Sequence, residues 1–347
     1  MTLAMVGDIG GTNARFAIWE DEQLHSIRVF ATVDYASPEK ALRVYLQDLE
    51  LQRGDVTSIC LAVAGPVTGD DFHFTNSHWK INRQAFCAEL KIDHLILVND
   101  FTAMALGMTR LKDDEYLTVR HGKGDPRGAR VVIGPGTGLG VGTLIRSGEA
   151  RWTAVPGEGG HVDLPIGTPR EALLWMRLMA THEHVSAETI LSGAGLLLLY
   201  QVSCGLDEIE PELKSPAAIT SAALKGDPVA SAVLEQFCVF LGRVAGNNVL
   251  TVGGRGGVYI AGGVIPRFVD FFMQSGFNKA FAEKGLMKDY FNDVPVWLVT
   301  AEYPGLMGAG VALDQYAASA SGKLQAASGK RQAASGKQRP RTSRWPL

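Results

Sequence analysis

Apolar positions fall in short blocks separated by polar or glycine-rich turns. Val6 to Ile9 and Phe16 to Trp19 flank Gly10-Gly11-Thr12-Asn13, a pattern that predicts two strands joined by a tight turn. Val131-Val132-Ile133 and Leu139-Gly140-Val141-Gly142 repeat the plan around Pro135-Gly136-Thr137-Gly138. Further strands are expected at Ser58–Ala64, closed by Gly65-Pro66, at His94–Val98, at Gly257–Ile260 ahead of Ala261-Gly262-Gly263, and at Val294–Thr300. Helices are expected between them. Phe101–Leu106 follows one strand. Thr168-Pro169-Arg170-Glu171 reads as a capping box with proline at the first helical position. A long apolar helix starts near Gln236 and runs towards Val249, and a small-residue helix begins at Gly305. The N-terminal segment thus reads as hairpin, helix, strand, helix, strand. Strands interleaved with helices predict an α/β fold.

The two glycine turns carry the first candidate chemistry. Adjacent glycines bring backbone N–H groups close to an anion with no Cβ in the way. Asp8 stands just before the first turn, and a carboxylate there suits a hydrated Mg²⁺ riding on a bound phosphate. An ordinary hairpin with a Gly-Gly turn fits the same residues. Thr12 and Thr137 lie 125 positions apart, so the repeat suggests two related halves. The later Gly262-Gly263 would allow a flat ligand such as a nucleoside to approach the backbone.

Composition narrows the class. The chain has 347 residues, 46% hydrophobic and 20% charged, as expected of a globular protein with two domains. No apolar run is expected to span a membrane. The N-terminus lacks a basic segment followed by an apolar signal core, so a cytoplasmic protein is expected. Cys60, Cys87, Cys204 and Cys238 are scattered without a Cys-x-x-Cys pair, which fits reduced thiols in the cytoplasm. The net charge of −3 hides an asymmetry: seven basic residues and no acid follow Asp314, leaving a body near −10. An acidic body argues against nucleic acid as a partner. The basic segment repeats Ala-Ala-Ser-Gly-Lys at Ala326–Lys330 and Ala333–Lys337, and residues 317–347 are expected to be a disordered tail.

Taken in order, Asp8-x-Gly10-Gly11-Thr12-x-x-Arg15, Gly136-Thr137-Gly138-x-Gly140 and Ala261-Gly262-Gly263 resemble the phosphate and adenosine segments of the sugar kinase, actin and heat-shock-chaperone ATPase superfamily. Asn99-Asp100-Phe101-Thr102-Ala103, Gly157-Glu158-Gly159-Gly160-His161-Val162-Asp163 and Val185-Ser186-Ala187-Glu188 narrow the resemblance to the bacterial glucokinase family. It runs from the first strand to about Asp314. It implies two ribonuclease H-like (actin-like ATPase) domains with mixed sheets flanked by helices and the active site in the cleft between them. The expected division is 1–110 plus 302–316, then 111–301.

The resemblance also implies roles. Asp100 would accept the proton of the sugar's 6-hydroxyl; on local grounds it equally fits an N-cap. Asn99, Glu158, His161 and Glu188 would hold the other hydroxyls, although Glu158 and His161 also read as surface loop residues and Glu188 as a first-turn acid. Gly10, Gly11, Thr12, Asn13, Gly136, Thr137 and Gly138 would cradle the phosphates of ATP. Gly262 and Gly263 would border adenosine, and Asp8 would order Mg²⁺ through water. Dimers are common in the family. Glu158-x-Gly160-His161 also occurs in zinc-containing sugar kinases, but here the next cysteine, Cys204, stands alone, so no zinc is expected. His182-Glu183-His184 lacks the His-Glu-x-x-His spacing and reads as a solvated helix end. No Walker-type loop is present. Kinases of other hexoses, a sugar-responsive regulator and an actin-like switch are the alternatives. The absence of a DNA-binding helix pair before Asp8 and the presence of a hydroxyl-binding set count against the last two.

Overall fold

Two sheets with the same strand order carry the chain. The computed structural model describes residues 3–335, apart from 53, 66, 75–76 and 149–150. The first sheet holds β1 (Leu3–Ile9), β2 (Asn13–Glu20), β3 (Gln23–Ala31), β4 (Val56–Val63) and β7 (His94–Asn99). Between β4 and β7 lies a small hairpin of β5 (Asp71–His73) and β6 (Lys80–Asn82). The second sheet holds β8 (Tyr116–Arg120), β9 (Arg130–Pro135), β10 (Leu139–Arg146), β11 (Trp152–Val155), β12 (Gly257–Ile260) and β13 (Val296–Val299). The orders are β3-β2-β1-β4-β7 and β11-β10-β9-β12-β13-β8. In each sheet an antiparallel three-stranded meander joins two parallel strands, and β8 is added antiparallel at one edge of the second. The parallel strands are covered on both faces. That is why β4 and β12 read as nearly unbroken apolar runs.

Helices flank both sheets. The first half has α1 (Pro38–Asp48), α2 (Arg83–Leu90) and α3 (Asp100–Gly107). The second has α4 (Pro169–Met179), α5 (Ala187–Ile190), α6 (Gly193–Leu206), α7 (Pro216–Leu224), α8 (Pro228–Val252), α9 (Val269–Gln274) and α10 (Phe277–Ala282). The capping box opens α4: Thr168 Oγ1 accepts from Glu171 N at 3.2 Å, and Glu171 Oε2 accepts from Thr168 N at 3.1 Å. Glu171 is buried, and its other oxygen takes Arg243 Nη2 at 3.3 Å and Gln236 Nε2 at 3.1 Å. These partners offset the cost of burying the carboxylate.

Each half has its own apolar core, and a third cluster lies between them. The final helix, α11 (Pro304–Ser335), returns from the second half to pack on α3 and the first sheet. Glycines allow close approach: a Cβ at Gly308 would lie 1.6 Å from Ala103 O, and one at Gly107 would lie 2.1 Å from Pro304 O.

Several features differ from the sequence expectation. The strands β3, β8 and β11 and the β5–β6 hairpin were not foreseen. β3 is an edge strand with many exposed positions, so its pattern carries little apolar signal. The helix α8 starts eight residues earlier than expected, at Pro228 behind the Asp227 cap, and is long and apolar enough by composition to cross a membrane. It is a core helix instead, lined with buried residues such as Phe237, Leu241 and Val249. Of the segment expected to be disordered, 317–335 continues α11, in keeping with alanine's helix preference, and 336–347 lie outside the described residues. The cysteines are unpaired; Cys60, Cys204 and Cys238 are buried and Cys87 is half-exposed.

Candidate active site

The C-terminal ends of β1, β4, β7, β9 and β12 open onto one cleft, the usual place for ligands in such sheets. The cleft measures about 710 Å³ and is lined by both halves. The first half supplies Gly10, Gly11, Thr12, Asn99 and Asp100. The second supplies Gly136, Thr137, Gly138, Glu158, His161, Glu188 and Gly262. Three expected residues stand outside the lining. Asn13 starts β2, and its carbonyl accepts from Gly10 N at 2.9 Å, closing the turn. Asp8 lies behind the turn. Gly263 faces open space, whereas Gly262, at φ 88°, would place a Cβ 2.6 Å from Pro135 O. Glycine is thus required at Gly262 and not at Gly263.

Asp8 pairs with Arg15 across the β1–β2 ladder, and Arg15 Nη1 donates to its Oδ2 at 3.3 Å. Burial pushes its carboxyl above the ordinary carboxylate range, and Arg15 opposes that shift. The first turn of α11 faces it, with a Cβ at Gly305 lying 3.5 Å from Asp8 Cγ. Among the described residues no three His, Cys, Asp or Glu side chains cluster as ligands for a metal ion.

Asn99, not Asp100, is the N-cap of α3. Its Oδ1 accepts from Phe101 N and Thr102 N, both at 3.0 Å, and its Nδ2 reaches Gly65 O at 3.3 Å. That leaves Asp100 in the first helical turn, its Oδ1 taking Phe101 N at 2.8 Å. Burial raises the Asp100 pKa to about 6; the charges of Asp8 and Glu158 add to this and the Phe101 N–H opposes it. A carboxylate with that pKa is poised to take a proton near neutral pH.

Glu158 precedes a short 3₁₀ turn, Gly159–His161, which brings His161 to the cleft. Gly160 makes the turn possible, because a Cβ there would fall 2.0 Å from Leu139 O. Glu188 sits in the first turn of α5 behind the Ser186 cap. Its Oε1 is 3.9 Å from His161 Nε2, and its Oε2 accepts from Leu139 N at 2.7 Å. One carboxylate therefore touches the second glycine hairpin and the His161 loop together.

Sequence reasoning missed several supporting groups. Buried Thr32 braces the first hairpin, its Oγ1 donating to Gly11 O at 2.8 Å. It follows β3, so the signal disappeared with that strand. His184 is no idle helix end: it lies beyond α4, its Nε2 meets His161 O at 2.9 Å, and its Nδ1 is 3.5 Å from Asp163 Oδ1. Gly193 N donates to Gly136 O at 2.8 Å, tying α6 to the second hairpin. Phe101 and Gly140 also line the cleft; both stand inside motifs whose other members drew attention.

Comparison with known proteins identifies the family. The sequence model described as Glucokinase matches residues 5–316. A glucokinase of Pseudomonas aeruginosa is 55% identical over 314 residues, spanning 90% of this chain and 95% of that protein. One from Hahella chejuensis is 45% identical over 313 residues, or 89% and 96% of the two chains. The crystal structure of a glucokinase from an Antarctic psychrotroph superposes with a TM-score of 0.83 at 34% identity, covering 91% of this chain and 99% of that one. The glucose complex of a glucokinase from Balamuthia mandrillaris shares the fold, with a TM-score of 0.73 at 20% identity over 89% and 93% of the chains. The chain belongs to the glucokinase family.

Proposed function

We propose that the cleft transfers the γ-phosphoryl of ATP to the 6-hydroxyl of D-glucose, giving glucose 6-phosphate and ADP. The observation that carries the reading is Asp100: a partly buried carboxylate with a raised pKa, in a cleft lined by a glycine hairpin from each half. Asp100 takes the proton of the 6-hydroxyl as the oxygen bonds to the γ-phosphorus, while the bond to the β,γ-bridging oxygen breaks and its electrons leave with ADP. Such transfer asks the protein mainly for alignment and charge balance. The backbones of Gly10–Thr12 and Gly136–Gly138 face the phosphates, with Asn13 closing the first turn, and Gly262 and Gly263 border the nucleoside. Glu158, His161 and Glu188 take sugar hydroxyls, and Asn99 contributes its amide nitrogen because its oxygen is committed to the helix cap.

Mg²⁺ fits Asp8, a desolvated carboxylate beside the hairpin whose near countercharge among the described residues is Arg15. A cation held there through water would neutralise phosphate charge. No role is assigned to zinc. The domain division 1–110 with 302–316, then 111–301, is part of the proposal and is supported by the separate cores and by the return of α11 to the first sheet. A homodimer and a cytoplasmic location follow from the family resemblance. The unpaired buried cysteines suit that compartment. No membrane or nucleic-acid partner is assigned.

Asp100→Asn tests the reading. Turnover in a coupled ADP-release assay should fall roughly 10²–10⁴-fold, with glucose affinity by calorimetry changing far less. In the parent protein kcat/KM should decline below about pH 6, where Asp100 is protonated. The fold raises this carboxyl, so stability falls as pH rises from the unfolded value of 3.8 through about 6. Asp100→Asn should therefore melt higher at pH 7, and that gain should vanish below pH 4 on the same basis. Near-normal turnover of the variant would remove Asp100 from its role.

A further inference from the structure

One side chain joins the two halves beside the reacting centre. Phe101 follows Asp100 in α3, and its N–H donates to Asp100 Oδ1 at 2.8 Å and to Asn99 Oδ1 at 3.0 Å. Its ring crosses to the second half and lies on β10. A Cβ at Gly140 would fall 1.9 Å from Phe101 Cδ2 and 2.2 Å from Cε2. Gly142, two residues on and therefore on the same face of the strand, would place a Cβ 3.5 Å from Phe101 Cδ1 and 3.3 Å from Ala105 Cβ. The ring thus occupies the space that a side chain at Gly140 would fill. Gly140 lies two residues beyond the Gly136-Thr137-Gly138 turn, and its ladder partner is Gly134, just before that turn.

We propose that Phe101 is a positioning residue whose ring, seated on Gly140, sets the placement of Asp100 against the second phosphate hairpin. The inference rests on the reading of Asp100 as the base. Its physical basis is the steepness of in-line transfer. Displacing a reacting group by about 1 Å can cost on the order of 10²-fold in rate, even when the altered contact is remote from the chemistry. Backbone hydrogen bonds fix Asp100 within its own half. The ring-on-glycine contact fixes that half against the other at the residue next to the base. A packed contact of this kind gives when either partner changes size.

The test is steady-state kinetics on the full chain for Phe101→Leu, Gly140→Ala, the double variant and Asp100→Asn, with melting curves for each. Each of the first two should lower kcat about 10- to 100-fold with KM for glucose and ATP nearly held. Phe101→Leu should partly rescue Gly140→Ala, because the smaller side chain leaves room for the new methyl group. The kcat of the double variant should then exceed the value expected from multiplying the single losses. Independent multiplication of the losses would overturn the proposal, as would lowered melting temperatures with kcat unchanged. Should Gly140→Ala fail to fold, Phe101→Leu decides alone: kcat reduced with both KM values held supports the proposal, and any other result overturns it. Asp100→Asn separates the two levels. If it keeps turnover, the reading of the base fails. If it loses turnover while Phe101→Leu does not, only the positioning role fails.

Discussion

The two glycine hairpins differ in loop length, four residues inside the closing pair of the first and three inside that of the second, and in the rung next to it. In the first, Ile9 and Ala14 close the ladder and the next rung pairs Asp8 with Arg15. In the second, Pro135 and Leu139 close it and the same rung pairs Gly134 with Gly140. One hairpin spends that rung on an ion pair, the other on two missing side chains. The gaps are filled from elsewhere: the Ala261 carbonyl lies where a Cβ of Gly134 would go, 2.7 Å away, and the Phe101 ring lies over Gly140. The braces differ as well. Thr32, from the same sheet's edge, holds the first turn. Glu188 and Gly193, from the helical side of the second half, hold the other. A duplicated topology therefore carries divided labour. The first hairpin sets an ion pair behind the turn that lines the cleft, and the second brings bare backbone and a seat for the other half.

The division can be broken experimentally. Among substitutions in the two hairpins and their braces, the largest effect is expected at Asp8. A hydrogen bond or contact to a charged group is worth about 1.5–3 kcal/mol, so Asp8→Ala should lower kcat/KM for Mg·ATP by roughly 10- to 150-fold. Glucose binding measured by calorimetry should stay near the parent value; an equal loss there would erase the contrast between the hairpins.

Glu188→Gln comes next. It weakens the bond to Leu139 N and the facing of His161 together. KM for glucose should rise about tenfold, as it should for His161→Ala. Unlike His161→Ala, it should also shift KM for ATP, since Leu139 opens the strand after the phosphate turn. A response of the glucose term alone would detach Glu188 from the hairpin.

Gly134→Ala should act on stability. Its methyl group meets backbone that cannot swing aside, so a cost of about 1–3 kcal/mol is expected. Thermal melting reads it as a drop of several degrees. Gly263→Ala, with nothing within 4 Å of the added Cβ, should leave the melting temperature alone and serves as the contrast. Equal drops would mean that the second hairpin's glycines are not set by packing.

The smallest effect is expected at the C-terminus. Ser319 accepts from Arg151 Nη2 at 3.2 Å and donates to Gln315 O at 2.8 Å, so the cut belongs after Ala320. Removing 321–347 should leave kcat, both KM values and melting unchanged. Salt-sensitive retention on heparin by the full chain alone would instead assign the basic segment a polyanion.

Much of this molecule was legible before its structure. Glycine turns flanked by apolar runs, the capping box at Thr168 and the small-residue start of α11 are local statements. A tight turn between paired strands is favoured by its own small residues and a helix start needs its N–H groups met, whatever lies far away. The buried strands and the repeat of the hairpin plan were readable for the same reason. The candidate site residues were legible as types, and twelve of them line one cleft.

The tertiary structure decided what local chemistry leaves open. Asn99 and Asp100 are adjacent acceptors, and only the turn of the chain at the end of β7 made the first the cap and the second the base candidate. Glu188 looked like an ordinary first-turn acid until α5 docked it against Leu139. His184 read as a helix end until the fold placed its still exposed ring at the His161 carbonyl. The exposed edge strand β3 hid Thr32, and α8, apolar enough for a membrane, became a core helix because α6, α7, α10 and β9 pack against it. The reason is common to all of these. Propensity and capping act over a few residues, whereas the choice among equivalent polar groups is made by contacts between residues far apart in sequence. Those contacts exist only once the sheets have paired and packed.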